Sequence, residues 1–521
     1  MNPISSALRL TPVYTPAPAS QNAIVRQAAS TADTPGTQVS LGQDTRIQDA
    51  ETYTARGSLD SSQPRYIWEQ DSLDKLSMNM LSGIKSASAG ARFQGLGALL
   101  MEQLASNGGQ RISQSALLVN DTDGVALSLQ QSRLREFASN TVTLNLTSAS
   151  GATVSLGLYS SDKGLAVDAQ VQGGELNADE LKGLANLASG FQSAISGLSQ
   201  QPPNLQLGSL LKVDPALFSG LQMNASLELP GGARQTFDLR LDDSTRSLKL
   251  DGPSGVVQLD LDTQGGTLVG GQAQRQAALS NYLTQFDDAQ KRGKGDAQLT
   301  SLLKDAFTQL NSIDDNRPRP AGHDSALNTY SRALLSGLAD FKVSVVQPSS
   351  HLNPQRLDEE DRFSYEASQA TASNGEGNSI ARQQRQEAKL DAAWHSSLAS
   401  TARQSEEDPF DAKNYRYHTL SESASTTTSL AIVDNVLKEA SVTQEATSNK
   451  RVTTYSNGIL LSDEKTPTSV SRTRNLLNLL DDLFKADEKA RRDGSKSDLD
   501  QQLAANSGLW LLQTDPSQIK D

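Results

Sequence analysis

The chain contains no cysteine among its 521 residues. Disulfides, thiolate nucleophiles, zinc–thiolate sites and iron–sulfur clusters are thereby excluded together, and the absence carries no sign of compartment. Aromatic residues are scarce, at 5%. Any core must therefore be built from Leu, Val and Ala. Cationic residues are outnumbered, with 47 Lys and Arg against 60 Asp and Glu and a formal charge of −13. No basic stripe appears, which argues against nucleic acid or an anionic membrane as partner, because phosphate binding needs clustered Lys and Arg. No apolar run reaches the length of a membrane-spanning helix, and Met1–Leu10 lacks the apolar region of a secretory signal. The expected location is cytoplasmic, with leaderless export as the route out of the cell.

Motifs that carry chemistry are missing as well. The histidines at His323, His351, His395 and His418 are scattered, no two stand at i, i+4, and they read as surface residues. Asn120–Gly124 resembles the middle of an EF-hand loop, but Val119 and Gln130 stand where the first ligand and the closing glutamate belong. In the glycine-rich loop Gly265–Gln272, Gly271 and Gln272 occupy the places of a phosphate loop's Lys and Ser/Thr. Ser-x-x-Lys occurs at Ser72/Lys75, Ser82/Lys85, Ser209/Lys212 and Ser301/Lys304 without the partner motifs that give it meaning. The acidic runs Asp358–Asp361 and Glu406–Asp408 read as solvated loops. No catalytic residue, metal ligand or cofactor is assigned.

What is present is a well-signalled middle, from Thr141 to Asp262. Val142, Leu144 and Leu146 alternate with polar residues, as do Val154, Leu156 and Leu158, and then Leu165, Val167, Ala169 and Val171. Period two marks strands with one apolar face. Leu181, Leu184, Leu187, Phe191, Ile195 and Leu198 then fall at helical spacing, with Asn177 as N-cap, Glu180 placed for a capping box, and Pro202-Pro203 as the stop. A second set of strands follows, around Leu221–Leu229, Phe237–Leu241, Leu248–Leu250 and Val257–Leu261, so that duplication of a β meander is one reading and plain antiparallel topology the other.

Around this middle the spacing predicts a helix from Trp68 to Ile84, a second from Phe93 to Leu104, a helical hairpin over Ala277–Leu310 that breaks at Gly293-Lys294-Gly295, and a helix from Leu327 to Leu338. The link Ile112–Phe137 is ambiguous between strand and helix. From Gln347 to about Ser471 the sequence is polar and extended; Phe363-Ser364-Tyr365-Glu366 and Tyr415-Arg416-Tyr417-His418 carry aromatic pairs at strand spacing, and Ile380–Leu398 is a helix candidate. Asn457-Gly458 marks a hairpin. A helix over Leu476–Phe484 with a cationic last turn precedes a final apolar knot, Leu509, Trp510, Leu511 and Leu512, a candidate docking segment for a partner that can also fold back on its own domain.

The fold class is α+β: antiparallel β meanders covered by amphipathic helices, with a disordered tail over 1–63, a central domain over 64–315, an extended polar region over 316–465 and a helical segment over 466–521. The tail is rich in Ala, Ser, Thr, Gln and Pro, the composition of leaderless bacterial export substrates and of many plain linkers. The leading functional expectation is a non-catalytic bacterial protein that works by contact with a protein partner, exported or surface-associated. The alternatives are a hydrolase using Asp and Glu as acid and base, and a β module that binds an apolar or sugar ligand.

Overall fold

A computed structural model describes residues 65–70, 74–119, 126–264, 269–315, 325–398 and 410–519. The N-terminal tail, His323, the EF-hand-like segment, the acidic run Glu406–Asp408 and half of the glycine-rich loop lie outside the described residues.

The first part holds β1 (Arg65–Trp68), α1 (Lys75–Gly83), α2 (Ala89–Arg92), α3 (Leu96–Ser106), β2 (Ile112–Val119) and α4 (Leu127–Glu136). The middle follows the alternating pattern closely: β3 (Asn140–Ser148), β4 (Thr153–Ser161), β5 (Gly164–Gln172), α5 (Ala178–Leu198), β6 (Phe218–Glu228), β7 (Arg234–Leu241), β8 (Thr245–Gly252) and β9 (Gly255–Asp262). Then come α6 (Gln272–Gly293), α7 (Ala297–Ser312), α8 (Ala326–Ser331) and β10 (Asp340–Val346). Five long strands follow, β11 (Arg362–Glu376), β12 (Ser379–Ser397), β13 (Tyr415–Val433), β14 (Val436–Ser456) and β15 (Ile459–Asn475), before α9 (Leu477–Arg492) and α10 (Leu499–Asn506).

All fifteen strands join in one antiparallel sheet, in the order β1-β2-β5-β4-β3-β6-β7-β8-β9-β10-β11-β12-β13-β14-β15. Both meanders thus lie in the same sheet. The capping box at α5 is present: Asn177 Oδ1 accepts from the Glu180 N–H at 2.9 Å, and Glu180 Oε2 accepts from the Asn177 N–H at 2.9 Å. Glu180 Oε1 also accepts from Ser150 N–H, 3.2 Å away, so one buried carboxylate fastens the helix to the β3–β4 turn. The Asn-Gly hairpin is present too, with Asn457 and Gly458 at φ 50° and 77°. Positive φ at both central residues matches the twist of the flanking strands.

One continuous core draws on helices and strands alike, from Leu76 in α1 to Ile519 near the C-terminus. Its scarce aromatics concentrate where α6 and α7 meet β10 and β11. Tyr282 lies edge-on to Phe341 at 4.9 Å, Phe307 to Phe341 at 4.9 Å, Phe286 to Phe307 at 5.3 Å and Phe286 to Tyr365 at 5.7 Å. Such edge-to-face pairs add to the area they bury.

Three expectations from spacing are corrected, and the ambiguous link Ile112–Phe137 resolves into a strand and a helix. Trp68 belongs to strand β1, paired opposite Ala116, and the first helix starts only at Lys75. Leu127 and Leu129, which alternate like a strand, lie in α4. The helix expected over Leu327–Leu338 is the short α8 followed by turns. The helix candidate Ile380–Leu398 is strand β12, paired along its length with β11 and β13. There, two neighbouring ladders outweigh a weak local preference. No described helix is long and apolar enough to cross a membrane.

Candidate functional site

The richest gathering of polar and aromatic chemistry sits where β12 ends and β13 begins. The register sets His395 opposite Tyr417, Trp394 opposite His418, and both Tyr417 and Tyr415 opposite β14, against Thr453 and Tyr455. Directly opposed residues share a face and neighbours along a strand alternate. His395, Tyr415, Tyr417 and Tyr455 therefore project to one side, and Trp394, Ser396 and His418 to the other.

On the first side the segment 347–361 lies across the strands and is bound to them by side chains. Asn353 Nδ2 donates to the Tyr415 hydroxyl at 3.1 Å, and that hydroxyl donates to Glu359 Oε2 at 2.6 Å. The Tyr417 hydroxyl donates to the Glu360 carbonyl at 3.0 Å. The guanidinium of Arg356 stands 4.1 Å over the Tyr455 ring. His395 closes the assembly, its Nδ1 lying 2.5 Å from Asp361 Oδ1, its Nε2 3.3 Å from Glu359 Oε2, and its side chain 0% exposed. Phe410, Tyr415 and Tyr417 surround the ring. Burial first, then the Glu359 carboxylate, pushes the Tyr415 phenol well above its ordinary range.

Surface histidines and a solvated acidic loop were the sequence reading of these positions, and for His395 and Glu359 the structure overturns it. Glu359 is buried, whereas Asp358 in the same run is exposed. Both imidazole nitrogens face carboxylates, so neither is open to a metal or substrate, and no group of three or more His, Asp or Glu among the described residues could hold a metal ion. The arrangement fastens a loop to a sheet.

On the opposite side Trp394 stacks on His418, centroids 4.9 Å apart and planes 5° apart. His418 Nε2 lies 2.8 Å from Ser396 Oγ, within the reach of a nucleophile and its base. Burial, and then the charges of Lys450, Arg416 and Lys294, lower the His418 pKa below the ordinary histidine value. Its Nδ1 is buried with no hydrogen-bond partner in the structure. The stacked indole orients this ring in place of a third polar group.

The apolar knot near the C-terminus lies elsewhere. Trp510, Leu511 and Leu512 are buried in the common core and Leu509 is partly buried against it. Half of the glycine-rich loop can also be placed: Gly271 precedes α6, and the N–H groups of Ala273 and Gln274 donate to the Asp500 carboxylate at 2.9 and 3.0 Å. A carboxylate of the chain itself fills the place where a phosphate would sit. A cleft of about 530 Å³ opens between the β6–β7 end of the sheet and the end of α7, lined by Phe218, Leu221 and Leu241 together with Lys212, Asp242 and Asp243.

The aromatic pair Tyr415/Tyr417 and the acidic run Asp358–Asp361 were both legible in the sequence, but nothing in it linked them to His395. That link is made by strand register and a loop fold-back. No family model, no curated protein and no solved structure matches this chain. Fold and site together define an α+β protein with a fifteen-stranded antiparallel sheet and a buried histidine–carboxylate clasp.

Proposed function

We propose that this protein works by contact with a protein partner, taking an extended segment of that partner onto the open edge of its sheet. The observation that carries this reading is the state of β15. It is the terminal strand of the sheet, and its first three residues, Ile459, Leu460 and Leu461, are 73%, 52% and 70% exposed. Three consecutive exposed apolar residues are unusual on a surface without a task. An edge strand offers a row of N–H and C=O groups that only another extended backbone matches, and apolar side chains beside it supply selectivity. Further along, Asp463, Glu464, Lys465 and Pro467 are exposed. Charges and proline discourage pairing, which confines docking to the Ile459–Ser462 end. The opposite edge strand, β1, is only 4 residues long against 17 in β15, so β15 offers the longer row of edge groups. The polar N-terminal sequence, rich in Ala, Ser, Thr, Gln and Pro, fits an exported or surface-associated factor.

The test is co-purification from cells and medium, followed by amide exchange across residues 459–475 with and without the captured partner. Expected are protected amides at the start of β15 and loss of capture by Leu460→Asp and Leu461→Asp. Equal capture by these variants, or unchanged exchange at the edge, refutes the reading.

A hydrolase remains the second reading, favoured by the Ser396–His418 pair and not by paired acids as the composition suggested. In that case Ser396 Oγ would attack an ester while His418 Nε2 takes its proton and then returns it to the leaving group. Labelling by a fluorophosphonate probe that Ser396→Ala abolishes would favour it; an unlabelled protein would dismiss it.

A further inference from the structure

The segment after α10 crosses the buried face of β12–β14 without joining any strand, and side-chain amides serve its backbone. Gln386 Oε1 accepts from the Leu512 N–H at 2.9 Å, Gln444 Nε2 donates to the Leu511 carbonyl at 3.0 Å, and Asn281 Nδ2 donates to the Leu512 carbonyl at 3.0 Å. Gln285 Oε1 accepts from the Thr514 N–H at 3.1 Å and from its hydroxyl at 2.5 Å. Arg292, itself paired with buried Glu422 at 2.8 Å, donates to the same hydroxyl at 3.1 Å. Gln386, Thr426 and Gln444 stand directly opposite one another across three strands, and the next row on that face is Ala388, Ala424 and Ala446. A polar row beside a row of bare methyl groups makes a trough with amides along its floor.

We infer that this trough is a peptide-binding groove, that Ser507–Ile519 is its exchangeable occupant in cis, and that the same segment of a second copy can fill it in trans. Three observations carry this. Backbone groups read by side chains, with no ladder formed, are the contacts a receptor makes with an extended ligand. Were the segment to leave, buried Gln386, Gln444 and Gln285 would each lose a partner, and what restores them is another peptide backbone. Finally, the seat is imperfect: Trp510 is fully buried, yet its indole N–H has no hydrogen-bond partner in the structure. A segment seated by side-chain contacts without a strand ladder leaves the sheet's pairing intact when it departs, and exchange of an identical element between chains is a low-cost route to a dimer.

The experiment uses the full chain with a protease site placed in the exposed turn at Gly494–Lys496. After cleavage in place, a fluorescent synthetic peptide of residues 495–521 is added, and uptake is followed by anisotropy. Expected is 1:1 replacement of the resident fragment, with affinity lowered about ten-fold or more by Gln386→Leu with Gln444→Leu in the body or by Thr514→Val in the peptide. In the uncut chain, concentration and mild warming should yield a dimer by light scattering, and added free peptide should suppress it. The inference is overturned if the cut protein keeps its fold and its fragment without exchange, if it unfolds on cutting, or if the glutamine variant binds peptide as well as the parent. A chain that stays monomeric under every condition removes the trans occupant.

Discussion

Single carboxylates hold several of these elements in place, and each makes a measurable claim. Asp500 supplies the N-cap that Gly271 cannot, from a helix more than two hundred residues away in sequence. Asp500→Ala should lower stability by about 1 kcal/mol, the usual worth of a cap, in urea unfolding; no change would mean that α6 satisfies its first turn another way. Glu180 makes a pH-dependent claim. Burial raises its carboxyl, but hydrogen bonds from the Asn177 backbone and from Ser150 and Ser148 outweigh burial and leave the pKa below the ordinary glutamate value. A folded-state pKa below the unfolded one contributes stability that is present above the unfolded value and lost as pH falls through the folded value. The gap in stability between the parent and Glu180→Gln should therefore shrink as pH falls below about 4, and a gap constant with pH would contradict the assignment. For His395, replacement by Phe removes one hydrogen bond from each of Glu359 and Asp361, which keep the Tyr415 hydroxyl and the residue-395 backbone N–H as donors, at a cost of about 1–3 kcal/mol. Amide exchange in segment 347–361 should speed up while exchange in β3–β9 stays as it was.

Among the elements, those whose burial alternates with apolar side chains were legible, and those buried by polar ones were not. Val142, Leu144 and Leu146 announced β3 because three successive inward residues are aliphatic, with polar Asn140 and Ser148 only at the strand's ends. In β12 the inward residues are Arg382, Gln384, Gln386 and Ala388, which read as solvent-facing and gave no period. Their burial depends on partners that are remote in sequence, Ser331 for Arg382 and the C-terminal segment for Gln386. The same distance hid the site: His395 is defined by a register and by a loop over thirty residues earlier, neither of which spacing encodes. The turn Asn457-Gly458, being local, was plain. For β15 the element-scale prediction concerns its guard. Pro467 sits opposite Asn449 on the open edge, and Pro467→Val should leave the unfolding midpoint within about 0.5 kcal/mol of the parent. It should also raise self-association in light scattering, because the strand can then pair along its full length. Unchanged association would show that the charged residues guard the edge unaided.

At the scale of the whole molecule the question is whether a sheet fifteen strands wide behaves as one body. Neighbour-to-neighbour strand order alone would let it melt from either end, as linear arrays do when each unit touches only the next. Two features oppose that: the core is continuous from Leu76 to Ile519, and the aromatic seam of Tyr282, Phe286, Phe307, Phe341 and Tyr365 binds α6 and α7 to β10 and β11 at the middle of the sheet. The three tryptophans report on the two flanks, Trp68 on β1 and Trp394 and Trp510 beyond the seam. In the parent chain the urea transition of a Trp68→Phe variant, which reports on the far flank, should coincide with that of a Trp394→Phe, Trp510→Phe variant, which reports on the first. Phe341→Ala removes the ring that both Tyr282 and Phe307 touch, at a cost of about 3–5 kcal/mol. If the seam is the coupling, that loss separates the two transitions; if they already differ in the parent, or stay together after the ring is gone, cohesion comes from the strand ladder and the C-terminal segment instead.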